Sequence, residues 1–247
     1  AQGIEVIQDY GQGSAPFNGG NLIPDADGNV DGMGTEYYAY KTAHFDANRN
    51  RYFHYSMNPH EYNNGSSSGR AWVNGDDFIV ATHGWGSNNL MVAGTIQHEL
   101  GHNLGLRHGG KSNTTNRKPN YNSVMSYRYQ FYGVDNNCTP PADGVLDYSH
   151  GVNPALDEDN LDETLGICGG APGWDWNGDG DALDTAIIAD INDDDKFAVL
   201  TDYNDWDNLN YAGIFSAIGG GPFLASNLAS REVAICQPFP DDLPPSN

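Results

Sequence analysis

The chain has 247 residues, with 11 Lys and Arg against 33 Asp and Glu, for a formal net charge of −22. That length is enough for one domain with a sizeable core, while so large an acidic excess repels phosphates and excludes nucleic acid and anionic membrane surfaces as partners. No stretch approaches the roughly 18 apolar residues of a membrane span, and Ala1–Glu5 lacks the basic-then-apolar pattern of a signal peptide.

Ile4-Glu5-Val6-Ile7 alternates as a short strand, and Gly11 to Gly32 reads as a long surface connection rich in Gly, Asn, Asp and Pro. Inside it Asp25, Asp27, Asn29 and Asp31 set oxygens at alternate positions, and Glu36 falls where an EF-hand-like calcium loop ends. Val30 stands where that loop expects glycine, a poor residue for the bend. Gly34 to Asn48 predicts the first helix, with Tyr37, Tyr38, Tyr40 and Phe45 as core or supporting aromatics. Arg51 to Met57 reads as a strand and Asn58 to Gly69 as a loop. Arg70 to Val73 and Asp77 to Thr82 are two further strands, turned at Asn74-Gly75-Asp76. Ser87 or Asn88 then caps a second helix, whose apolar residues Leu90, Ile96, Leu100 and Leu104 keep helical spacing up to Gly105.

That second helix carries the chemistry. His98 and His102 are one helical turn apart, so both rings face one metal ion, and Glu99 lies beside them. Gly105 can take the left-handed conformation that ends the helix and lets His108 return as a third nitrogen ligand. Three protein ligands leave a fourth position open, the mark of a catalytic zinc site rather than a structural one.

His98-Glu99-x-x-His102-x-x-Gly105-x-x-His108 matches the extended zinc signature HExxHxxGxxH, and Ser123-Val124-Met125-Ser126-Tyr127 follows with its methionine 17 residues past His108. On these motifs, which span about Asn88 to Tyr127, the chain resembles the metzincin metallopeptidases. The helix is most similar to that of adamalysins, the Met-turn to those of astacins and serralysins, and Gly109 after the third histidine matches none of these branches. The resemblance implies Met125 as an apolar floor beneath the imidazoles and Tyr127 as a hydrogen-bond donor to the reaction intermediate. It implies Glu99 as general base, and Arg128 in the segment lining the pocket after the cleaved bond. Gly69 to Val73 is the candidate edge strand for an extended substrate, the alternative being a strand paired on both sides. His44, His54, His60, His83 and His150 fall outside the motif and read as surface or hydrogen-bonded histidines.

Beyond His108 the chain is loop-dominated, with only Asp184 to Asp190 as a helix candidate. Asp175, Asn177, Asp179 and Asp181 repeat the calcium-loop pattern with Gly180 at the bend. Ala186 stands where a glutamate is expected, so Asp184 or a distant carboxylate has to complete the shell. Asp190, Asn192, Asp194 and Asp195 extend that site or form another. Of the three cysteines, Cys138 and Cys168 are the preferred disulfide, a closure contributing about 3 kcal/mol. Cys236 is left over, with coordination of the zinc by its thiolate as the sharper alternative.

The expected fold is α+β: a metzincin-like catalytic domain, with a twisted mixed sheet and active-site helix in an upper part above a loop-rich, calcium-stabilised lower part. One catalytic domain spans 1–247, divided into an N-terminal subdomain over 1–108 and a C-terminal subdomain over 109–247. The expected activity is that of a secreted, monomeric zinc endopeptidase with one catalytic Zn2+ and one or more structural Ca2+, acting on protein or peptide substrates. The alternative is a calcium-stabilised binding or adhesion module on the same fold.

Overall fold

The computed structural model describes residues 22–50, 52–86, 88–139, 142–170 and 172–211, together with the backbone of 233–236. The strand expected at Ile4 to Ile7 lies outside the described residues, as does Ser87. The chain enters through β1 (Asn29–Val30), helix α1 (Thr35–His44) and β2 (Tyr55–Met57). It continues through β3 (Glu61–Tyr62), β4 (Gly69–Trp72), β5 (Asp77–Val80) and helix α2 (Asn89–Asn103). β3 is a short strand within the segment expected to be loop, and it pairs in parallel with β1.

Alternation along β4 and β5 builds two layers of core. One set of side chains, Trp72, Ile79 and Ala81, packs with Val30, Met33, Tyr37 and Tyr62. The other set, Ala71, Phe78 and Val80, packs with Ile96 of α2. The sheet therefore lies between α1 and α2. Tyr37, fully buried, donates its hydroxyl to the Tyr55 carbonyl at 3.1 Å, and the Trp72 indole donates to the Tyr38 hydroxyl at 2.9 Å. The aromatic residues of α1 thus act as support, with a Lys41–Asp77 ion pair tying the helix to β5.

Asn88 caps α2, its side-chain oxygen accepting from the Met91 N–H at 2.9 Å. At the other end Gly105 takes φ +93°, with Gly105 N donating to the His102 carbonyl and Leu106 N to the Gly101 carbonyl, both at 2.9 Å. This pair of bonds is a Schellman closure, which stops the helix and reverses the chain toward His108.

The remainder is mostly loop, with two small antiparallel pairs: β6 (Leu156–Asp157) with β9 (Val199–Leu200), and β7 (Leu161–Asp162) with β8 (Thr185–Ile187). The helix expected at Asp184 to Asp190 is not formed, because residues 185–187 are committed to pairing with β7. Cys138 and Cys168 are disulfide-bonded. Deeper in, Asp205 accepts from the hydroxyls of Tyr121 and Ser123 and from the Ser149 N–H, joining three distant loops. Burial lifts its carboxyl to about 6 against those hydrogen bonds.

The last element, β10 (Val233–Cys236), adds to the sheet, whose order is β10-β4-β5-β2. β2 is parallel to β5, while β4 is antiparallel to both β5 and β10. The expectation of an open edge at Gly69 to Val73 is therefore corrected: β4 is paired on both sides, with β5 along one edge and the chain's own β10 along the other. Among the described residues no helix is long and apolar enough to cross a membrane.

Candidate metal centre and active site

The three histidines of the motif converge. His102 Nε2 is 3.0 Å from both His98 Nε2 and His108 Nε2, and the three residues are at most 6% exposed. His98 Nδ1 lies 2.7 Å from the Val124 carbonyl and His102 Nδ1 2.9 Å from the Leu106 carbonyl. A carbonyl only accepts, so those Nδ1 atoms carry the protons and leave the Nε2 lone pairs facing inward. Burial is the first cause holding all three imidazoles below their ordinary value, His102 to about 4. The neighbouring histidines lower His98 and His108 further.

Neutral rings with inward lone pairs 3.0 Å apart repel unless a cation sits among them. With bonds of about 2.0–2.1 Å, a tetrahedral zinc ion requires nitrogen separations near ~3.3 Å. The donor set therefore fits one zinc ion. Backbone carbonyls orient two of its rings, the usual outer support of metal-bound histidine.

Glu99 follows His98 on α2 and is fully buried. It sits against β4 at Gly69, where a side-chain Cβ would lie 2.3 Å from Glu99 Oε1 and 2.8 Å from the Ile79 carbonyl. Glycine is thus required there, since any larger residue would occupy the carboxylate's place. Met125 is fully buried beneath the helix, and a Cβ at Gly101 would meet its sulfur at 2.3 Å. The Tyr127 ring centre lies 4.5 Å from that of His108 and 5.9 Å from that of His98. The structure therefore brings His98, His102 and His108 together with Tyr127 beside them and Met125 against α2, while Glu99, on the same helix, is set against Gly69. Arg128 instead holds its guanidinium 5.6 Å from the Trp174 ring centre.

The histidines outside the motif are elsewhere. His54 Nδ1 is 2.8 Å from Asn103 Oδ1, His60 lies against His83, and His150 stacks on Trp206.

In the acidic loop Asp175 accepts from the N–H groups of Gly178, Asp179 and Gly180, and Gly180 takes φ +106° at the bend. Asp181 and Asp184 gather with Glu163, one oxygen from each within 4.8 Å of the others, and Asn177 reaches both Asp179 and Asp184. Glu163 is not legible as a partner from the sequence, although a distant carboxylate is needed. It lies outside the loop and accepts from the N–H groups of Trp176 and Asp184 across 13 and 21 residues. Asp190 closes a separate loop on the N–H groups of Asp194 and Asp195, clasped by Glu158 through Ile191 and Ala198.

The first acidic stretch behaves differently. Asp27 accepts from Asn29 N, Asp31 from the Asn29 amide, Glu36 from Asp31 N, and Asp25 from the Tyr40 hydroxyl. No three of these carboxylates gather as those of the later loop do. Val30 is 1% exposed in β1, and the left-handed positions are Gly28 and Gly32. The β-branched residue is used for core and strand pairing instead of the bend a calcium loop needs there.

Comparison of the chain with protein-family models, with curated proteins and with solved structures found no match.

Proposed function

We propose that the chain is a secreted zinc endopeptidase of the metzincin kind. The observation that carries this reading is the convergence of three neutral, buried imidazole Nε2 atoms at the end of the helix that also carries Glu99. His98, His102 and His108 would hold the ion. Zinc, when bound, supplies a Lewis acid that polarises a scissile carbonyl and lowers the pKa of water.

The remaining work belongs to the chain's own side chains. Glu99 accepts a proton from the attacking water on its carboxylate and passes it to the leaving amine nitrogen. Tyr127, beside His98 and His108, donates its hydroxyl to the developing oxyanion. Val124 and Leu106 carbonyls keep the two helix imidazoles in the tautomer a cation needs. A chelator should abolish hydrolysis of casein, and added zinc should restore it. One bound zinc per chain without any hydrolysis, by the intact chain or by the opened form described below, would reject the endopeptidase reading. One observation favours the binding-module reading: β10 covers the edge a substrate would use.

Calcium as a staple of the lower half belongs to the same proposal. Glu163, Asp181 and Asp184 gather as hard oxygen donors around the turn made by Asp175, Asn177 and Asp179. Millimolar calcium should raise the melting temperature by several degrees, since a ligand of the native state alone stabilises it. Glu163→Gln should remove most of that rise, and an equal rise in both proteins, read by calorimetry, would place calcium elsewhere.

A further inference from the structure

Resting on that reading, we infer that Val233–Cys236 is a built-in inhibitory strap that lies where an extended substrate must lie. β10 pairs antiparallel with β4 along its whole length, Val233 against Trp72, Ala234 against Ala71, Ile235 against Arg70 and Cys236 against Gly69. Gly69 is the point of β4 that touches Glu99. The strap therefore ends its run against the residue that borders the general base. A peptide added to a sheet edge is held by main-chain hydrogen bonds. β10 uses those of β4 on the side opposite β5, so a substrate cannot use them at the same time.

Two further facts agree with this. Glu99 is 0% exposed although its proposed role requires water and substrate to reach it. The 21 residues 212–232 join Tyr211 to β10, so the strand is held to the rest of the chain by a covalent tether. Tethering gives the strap a high effective concentration at β4, and severing the tether removes it.

The test inserts a site for a sequence-specific protease within 212–232 of the full chain. Cutting should raise kcat/KM for a quenched-fluorescence peptide by about tenfold or more, the gain expected if about a tenth of the intact molecules are open. A synthetic peptide of residues 231–238 added to the cut protein should restore inhibition competitively. The uncut double variant Ala234→Pro, Ile235→Pro provides a second route. Alternate residues of an antiparallel strand donate to the neighbour, so two consecutive prolines remove at least one ladder donor. It should show a similar gain.

Anisotropy of the labelled 231–238 peptide gives a readout that needs no turnover, with binding to the cut protein and weak binding to the intact one. Equal peptide binding by both forms, or unchanged kcat/KM in both the cut chain and the double variant, overturns the strap. Binding that depends on the cut, without hydrolysis by any form, leaves the strap standing and removes the endopeptidase reading instead.

Discussion

Glu99→Gln, assayed in the chain cut within 212–232, should lower kcat/KM for a peptide substrate by about three orders of magnitude, or roughly 4 kcal/mol of transition-state stabilisation. Gln preserves the shape of the side chain against Gly69 but cannot take up a proton. Zinc content, measured by atomic emission on the same sample, should remain at that of the unsubstituted protein, because the donors are imidazoles held by the Val124 and Leu106 carbonyls. Loss of activity together with loss of zinc would mean that Glu99 supports the site structurally. Retained activity would remove it from the chemistry.

Gly94→Ala should be the most destabilising single-methyl change in α2. Alanine is normally favoured over glycine inside a helix by about 1 kcal/mol. Here a Cβ would lie 2.1 Å from the Gln130 backbone carbonyl oxygen and 3.4 Å from Leu146 Cδ2. A backbone carbonyl cannot step aside as a flexible side chain can. The clash therefore outweighs the helix preference, with a net cost of about 3 kcal/mol. For a chain of this size that is a fall of ~6–12 °C in melting temperature. The same contact presses α2 against the segment that carries Met125 and Tyr127, so activity should fall more than stability alone would require. Gly84→Ala is the control: no atom lies within 4 Å of the point where its Cβ would stand and its φ is not left-handed, so its effect should stay within about 0.5 kcal/mol. Equal stability of the two variants in denaturant titrations would refute this account of Gly94.

Much of the candidate metal centre is legible in the sequence because it is local. His98, Glu99 and His102 share one turn of one helix, Asn88 starts that helix with a recognisable cap, and Gly105 ends it by a backbone conformation few other residues tolerate. The bend at Gly180 is readable for a similar reason, whereas the Cys138–Cys168 pair, 30 residues apart, is readable because three cysteines allow few pairings. The strands expected around Asn74 match β4 and β5 to within a residue or two, since Asn74 itself takes φ +55° in the turn between them.

What the sequence leaves open has a different cause. Val30 looks like a flaw in a calcium loop until the fold shows it buried in β1 beside Tyr62. Residues 185–187 look weakly helical until β7 claims them. Glu163 gives no signal of its own, because its value lies in reaching N–H groups 13 and 21 residues away.

Residue order alone was enough to set His98 and His102 on one face of a helix with Glu99 next to them, since helical geometry converts fixed spacing into a shared face without help from the rest of the chain. What covers β4 came from the folded chain, because a strand's partner depends on which segments meet in space and a four-residue run such as Val233–Cys236 carries no mark of its mate. The close approaches at Gly69 and Gly94 came from the same source, as a missing Cβ acquires meaning only from the atoms packed against it.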